Sequence, residues 1–266
     1  MFTVIGERIN TTLKNVKAAV ADRDADYIIE DVRQQEACGA TCIDVNAGAR
    51  IGYEEEDMRW LMDVVQQATS LPLCLDSPDP AVLEMAYGLA EKKPMINSIS
   101  LEKDRFDPMI SFLKGKECSI IALCMDDSGM PRTVADIVDR ATTLVSELEA
   151  IGMARDDIFI DPLIQPMSVD VNNGTMALDA VATIMTDLEG VHTTGGLSNI
   201  SFGLPQRRMV NRNFLAMMMA RGFDSAIMDP LDTELMAVLA TCEMLRGNDT
   251  FCMNYLKGTR SGKIKA

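Results

Sequence analysis

Eight short apolar runs along the 266-residue chain each carry a polar side chain near their carboxyl end: Glu7, Asp44, Asp76, Asn97, Asp126, Asp161, Asn199 and Asp229. Five Asp, one Glu and two Asn form a set without Lys, Arg or His, and that composition limits the chemistry. Schiff-base catalysis needs a lysine on a strand, and none is there. A metal centre would call for His or close-set carboxylates. The only His, His192, falls in the loop Gly190-Val191-His192-Thr193-Thr194-Gly195 before a strand, and is expected to be solvated at the opposite end from the polar set. Carboxylates and primary amides pair well with flat nitrogen heterocycles. A carboxylate accepts two parallel bonds from an amidine-like edge, and Asn offers one donor and one acceptor to a lactam edge.

The elements that must position these residues repeat. Strands are predicted at Thr3–Asn10, Thr41–Asn46, Leu71–Asp76, Pro94–Ser98, Ser119–Asp126, Ile158–Leu163, Gly196–Ser201 and Asp224–Asp229. Each is a short run rich in Leu or β-branched residues, as parallel strands buried on both faces require. Helical spacing follows in Val134–Ile151, where Ile137, Val138, Ala141, Leu144, Val145, Leu148 and Ile151 form a stripe before Gly152. Glu54 to Asp57 place acids in the first turn of another helix, and further helices are predicted at Thr175–Leu188, Asn211–Arg221 and Thr233–Arg246. The polar residues stand 21 to 38 positions apart, the length of a βα unit. Eight such units close a barrel, and a site then forms where strands end and loops begin. A phosphate-binding glycine loop is absent, which argues against an open doubly wound sheet. The expected architecture is a single (β/α)₈ TIM barrel spanning residues 1–266, with a solvated, frayed tail at Lys257–Ala266.

Composition narrows the surroundings. The chain is 47% hydrophobic with 20 Met, enough for a sizeable core. No apolar run approaches the roughly 18 residues of a membrane span, and Met1 to Glu7 has no signal-peptide pattern, so a cytoplasmic protein is expected. Seven Cys, an odd number scattered through apolar segments, read as reduced structural thiols, and Cys38-x₃-Cys42 has no matching pair to make a metal site. A net charge of −15 disfavours nucleic acid as a partner, because phosphate contacts need basic surface.

A 2-amino-4-oxo pterin presents both the amidine and the lactam edge that the polar set suits. The segments Ile5-Gly6-Glu7-Arg8-Ile9-Asn10, Leu73-Cys74-Leu75-Asp76-Ser77, Met95-Ile96-Asn97-Ser98, Ile160-Asp161-Pro162-Leu163-Ile164, Gly196-Leu197-Ser198-Asn199-Ile200-Ser201 and Asn211-Arg212-Asn213-Phe214-Leu215-Ala216-Met217 occur in order at strand ends. Together they resemble the methyltetrahydrofolate–corrinoid protein methyltransferases, which share a pterin-binding barrel with dihydropteroate synthases and with the folate domain of cobalamin-dependent methionine synthase. The resemblance implies that Asp76, Asn97 and Asp161 hydrogen-bond the pterin of tetrahydrofolate or 5-methyltetrahydrofolate, and that Asn199 sits beside the N5 that carries the methyl. It implies a pocket floor of Gly196 and Ser198, supporting or structural roles for Glu7 and Asn10, and an Arg207 that lies near the corrinoid or folate tail or makes a surface ion pair. Cobalamin would be carried by a partner corrinoid protein, no metal would be held by this chain, and a homodimer is expected. Phe202 departs from the family pattern, which has Gln there. Two rival readings remain: a dihydropteroate synthase-like pterin transferase, which should carry a different first loop from Arg8-Ile9-Asn10-Thr11-Thr12 and a lysine on a later strand, and a non-catalytic folate-binding subunit.

Overall fold

Strand alternation decides what this chain buries. The computed structural model describes residues 2–265 and has eight parallel strands: β1 (Thr3–Asn10), β2 (Cys42–Asn46), β3 (Leu73–Asp76), β4 (Met95–Leu101), β5 (Ser119–Asp126), β6 (Ile158–Asp161), β7 (His192–Thr193) and β8 (Ser225–Met228). Their order is β7-β6-β5-β4-β3-β2-β1-β8, so β1 pairs with both β2 and β8. The gap between β7 and β8 is crossed by backbone just above β7. Ile227 N–H donates to the Gly195 carbonyl at 3.0 Å, and Gly196 bridges Ile227 in parallel. The result is a nearly closed TIM barrel.

Outward-facing strand residues such as Ile43, Val45, Leu75, Ile96, Ile120 and Ile160 pack with the helices into the main core. Inward-facing residues form two levels. Ile5, Cys42, Cys74, Met95, Ile121 and Phe159 make a separate buried apolar cluster. Two positions further along the same strands stand Glu7, Asp44, Asp76, Asn97, Leu123 and Asp161. Residues two apart on a strand share a face, so these six form the next level up, at the carboxyl ends of the strands. A register shift between Gly6 and Ile9 bends β1 where it carries Glu7.

The helices begin and end where local chemistry dictates. Thr133 and Asp136 form a reciprocal capping box at the start of helix Val134–Ala150, and Gly152 follows its end with φ 94°. Helix Glu54–Ala68 opens on four acids, of which Asp57 is fully buried between Arg23 at 2.9 Å and Arg50 at 2.7 Å. The predicted helices appear at Asn173–Asp187, Arg207–Ala220 and Thr233–Leu245, within a few residues of expectation except for the earlier start at Arg207. Among the described residues, no helix is long and apolar enough to cross a membrane.

Three expectations are corrected. Gly196–Ser201 is not a strand: Leu197–Ser201 is a 3₁₀ turn, and β7 lies upstream at His192–Thr193. The tail does not simply fray, because Met253–Arg260 is helical and Lys263 Nζ donates to the Ala37 carbonyl at 3.1 Å; residue 266 lies outside the described residues. His192 is not a solvated loop residue. Its Nδ1 is 2.6 Å from Asp224, its Nε2 is 3.2 Å from Asp156, and its ring stacks on Phe159 at 4.7 Å. Asp224 also accepts from Thr193 N–H at 3.0 Å, so this carboxylate joins β7 to the approach of β8 below the Gly195 closure.

The hydrogen bond to Asp224, with the charges of Asp224 and Asp156, raises the His192 pKa despite partial burial. A raised folded-state pKa stabilises the fold fully below the unfolded value of about 6.5 and loses that contribution as pH climbs through the folded value. His192→Gln should therefore melt about 2–4 °C below the parent near pH 6, the shift that accompanies a loss of about 1 kcal/mol in a chain of this size. Calorimetric scans should show that gap shrinking as pH rises above the unfolded value and the imidazole loses its proton.

Candidate functional site

The polar level of the barrel is a set of carboxyl groups removed from water. Asp44 on β2 is the deepest: its side chain is buried and its Oδ1 has no hydrogen-bond partner. Burial, together with the charges of Asp76 and Glu7, pushes its pKa well above the carboxylate range, while the Cys74 thiol and the Asn97 amide beside it pull the other way. Desolvation dominates, so Asp44 holds its proton. Burial also raises Asp76, the neighbour on β3, but Asn46 Nδ2 donates to its Oδ2 at 2.8 Å and the Arg105 cation favours its charged form. Of the pair, Asp76 is therefore the one that ionises first. Gly48 N–H fixes the Asn46 amide by donating to its oxygen at 3.0 Å, which leaves the Nδ2 facing Asp76. Asp76 and Asn97 are direct register partners across β3 and β4.

Asp161 ends β6. Its Oδ1 accepts from Leu163 N–H at 2.7 Å, and burial lifts its pKa to about 7. The wall beside it is made of glycine for want of space. A side chain at Gly195 would place Cβ 3.1 Å from Asp161 Oδ1, and one at Gly196 would come 2.9 Å from Asn199 Nδ2. Asn199 is exposed on the 3₁₀ turn, where its backbone accepts from Phe202 N–H at 3.0 Å and donates to Gly196 O at 3.1 Å. Among the described residues, no hydrogen bond engages its side-chain amide, which is left available at the rim. Arg207 steadies this turn rather than forming an ion pair: its Nη2 donates to Ser198 O at 2.8 Å and its Nε to Ser201 Oγ at 3.1 Å. Its guanidinium lies 5.9 Å from the ring centroid of Phe202, which is 64% exposed.

Glu7 completes the arc from β1. Burial and the nearby Asp229 raise its pKa to about 7, with Arg207 and Arg8 opposing them. Arg8 turns away and forks onto Asp31, with Nη2 at 2.8 Å and Nε at 3.1 Å, while its Nη1 reaches Asp229 at 3.4 Å. Asn10 faces its own loop, accepting from Thr12 N–H at 3.0 Å and Thr12 Oγ1 at 2.7 Å. Glu7, Ser198 and Arg207 line one cavity of about 410 Å³ with Asn211 and Asp229. Asp76, Asn97 and Asp161 are not in its walls and stand on the opposite arc of strands.

Sequence reasoning placed one ring member wrongly and passed over others. Asp126 sits three positions beyond Leu123, outside the inward face, and accepts from Ser128 and pairs with Arg140 at 2.8 Å; Leu123 takes its place in the level. Asp44 belonged to the strand-end set but was not among the expected site residues, and Asn46 was not singled out. Alternation from Cys42 would have found Asp44, whereas nothing local identifies the Asn46–Asp76 bond.

A buried acid whose folded pKa is raised stabilises the fold below its unfolded value and loses that contribution as pH rises through the folded one. For Glu7 the window runs from about 4.5 to about 7. Glu7→Gln, which cannot ionise, should therefore melt several degrees above the parent at pH 8, with the gap narrowing toward pH 5. If the two melting curves track each other across that range, Glu7 is not held in a desolvated state.

The pterin binding enzyme family matches residues 6–229. The chain is 36% identical to the methylcorrinoid:tetrahydrofolate methyltransferase of Eubacterium limosum, an alignment that covers 98% of this chain and 97% of that one. It is 29% identical to methionine synthase of Mycobacterium tuberculosis over 84% of its own length, but that match spans only 20% of the larger enzyme. Dihydropteroate synthases share the fold: that of Coxiella burnetii at TM-score 0.71 and 12% identity over 91% of this chain and 94% of that one, and that of Thermus thermophilus at 0.68 and 15% over 92% and 94%. The strand-end arrangement and these similarities lead to one conclusion: the chain belongs to the pterin binding enzyme family.

Proposed function

We propose that this chain is a methyltransferase that moves a methyl group between N5 of tetrahydrofolate and the cobalt of a corrinoid protein. The observation that carries the reading is the inward polar level, where Asp76, Asn97 and Asp161 converge from three strands with the donors and acceptors that a pterin's edges require. The near full-length similarity to a methylcorrinoid:tetrahydrofolate methyltransferase supports this over a dihydropteroate synthase, whose likeness at 12–17% identity speaks for the fold alone. Residues 1–266 would act as one pterin-binding domain.

In this reading the ionised Asp76 accepts from the amidine edge of the pterin and the Asn97 amide complements the lactam edge. Asp161, poised at about 7, exchanges a proton with a ring nitrogen. Gly195 and Gly196 leave room for the flat ring, Ser198 completes the floor, Asn10 orders the first loop and Arg207 holds the turn that presents Asn199. Cobalt on the partner supplies the nucleophile or the methyl, according to direction. When folate is the donor, N5 leaves as a neutral amine only if it is protonated. The Asn199 amide oxygen accepts from that N–H, and the bond is strongest as charge develops. Asn199 has no proton of its own to give N5. Glu7 at about 7 and Asp44, which retains its proton, give the barrel groups able to store one.

The surroundings fit this role. Seven free cysteines suit a reducing, cytoplasmic setting, and the charge of −15 favours protein over nucleic acid as partner. An apolar surface around Val171, Leu178, Met209, Phe214 and Met217 supports a homodimer, since Val171 is 77% and Met217 53% exposed.

Mixing the protein with 5-methyltetrahydrofolate and Co(I) cobalamin and following the cobalt spectrum by stopped flow tests the reading. The wild type should form methylcobalamin, faster as pH falls through about 7, and Asn199→Ala should be slower by about 10²–10³ in a single turnover. No spectral change, with either cobalamin or a corrinoid protein, would sink the proposal. For the assembly, light scattering should give twice the chain mass for the wild type and a monomer for Val171→Glu/Met217→Glu.

A further inference from the structure

Helix Lys103–Leu113 sends Arg105 back over the ends of β3 and β4. Its guanidinium donates to main-chain carbonyls throughout: Nη1 to Pro78 O at 2.5 Å, Nη2 to Ser77 O at 3.1 Å and to Ser98 O at 2.6 Å, and Nε to Ser98 O at 3.0 Å. Ser77 and Pro78 follow Asp76 directly, and Ser98 follows Asn97. Ser77 N–H also donates to Asn97 O at 3.2 Å. One rigid fork therefore ties together the two strand ends that carry Asp76 and Asn97. Lysine, with a single nitrogen, cannot span those three carbonyls in the same way. Among the described residues, no carboxylate pairs with Arg105, so its charge is not neutralised by a direct partner.

We propose that Arg105 is a positioning residue of the pterin subsite, setting the spacing of Asp76 and Asn97 and bringing a cation to the Asp76 end of the pocket. The proposal rests on the pterin-binding reading above. Among the described residues, the groups acting on Asp76 are few: Asn46 donates to it, Asp44 on β2 and Glu54 on helix Glu54–Ala68 are acidic, and Arg105 is a cation. Glu102, which accepts from Ser100 Oγ at 2.9 Å, adds a negative charge near Arg105. Burial and Glu54 work against the Asp76 carboxylate, and removing Arg105 would leave Asn46 to oppose them alone.

Calorimetric titration with tetrahydrofolate between about pH 5.5 and 8.5 tests this in the full chain, for the wild type, Arg105→Met and Arg105→Lys. Glu7 and Asp161 titrate in all three, so the reading lies in the differences. Arg105→Met should bind about 10- to 100-fold more weakly near pH 7, and the pH below which affinity falls should move upward. Arg105→Lys should restore that pH midpoint but recover only part of the affinity, remaining about tenfold weaker for the lost hydrogen bonds. For Arg105→Met, affinity within twofold of wild type, or a loss by the same factor at every pH, overturns the role. If Arg105→Met does not fold, Arg105→Lys decides: a wild-type midpoint with weakened affinity supports the role, and wild-type affinity overturns it. A wild type that fails to bind tetrahydrofolate overturns the pterin-binding reading and this role together. Binding by the wild type that both variants match overturns the role alone.

Discussion

Taking a carboxylate out of water is among the most expensive things a fold can do, and the upper level of this barrel does it repeatedly. Each group meets that cost differently. Asp44 remains protonated, Asp76 is held by an amide and a nearby cation, Asp161 accepts one backbone N–H, and Glu7 sits between Arg8, Arg207 and Asp229. Beneath them the plug from Ile5 to Phe159 is a buried apolar cluster, which adds to the desolvation that lifts Glu7 and Asp161 to about 7.

Much of this was legible because strands alternate. Once Cys42, Cys74, Met95 and Phe159 are recognised as inward, Asp44, Asp76, Asn97 and Asp161 must follow on the same face. The same rule excludes Asp126, which a search for the last polar residue of each run selected. The seventh strand was misread for a different reason. Leu197 and Ile200 make the next segment the more apolar of the two, although their spacing of three is not strand alternation, whereas His192 to Gly196 offers two threonines and two glycines. The chain is turned by the Gly196–Asn199 and Asn199–Phe202 backbone bonds, which hydrophobic pattern does not report. Contacts that depend on closure, such as His192 with Asp224 or Arg105 with two strand ends, were equally invisible, because partners 7 to 32 residues apart meet only once the barrel has formed.

The polar rim is built from two kinds of support. Asp76, Asn97 and Asp161 come from strands bonded on both sides, whereas Asn199 rides on a turn. Glycine at positions 195 and 196 allows that turn to lie against Asp161 without steric conflict.

The strand beneath that turn contributes only two residues to the sheet, and its far edge is sealed by Gly195 above and Asp224 below. Of all the staves of the barrel, this one is gripped by the fewest rungs. Force applied at the rim therefore meets least backbone resistance at the turn that carries Asn199, while Asp76 and Asn97 stay in register across the mouth.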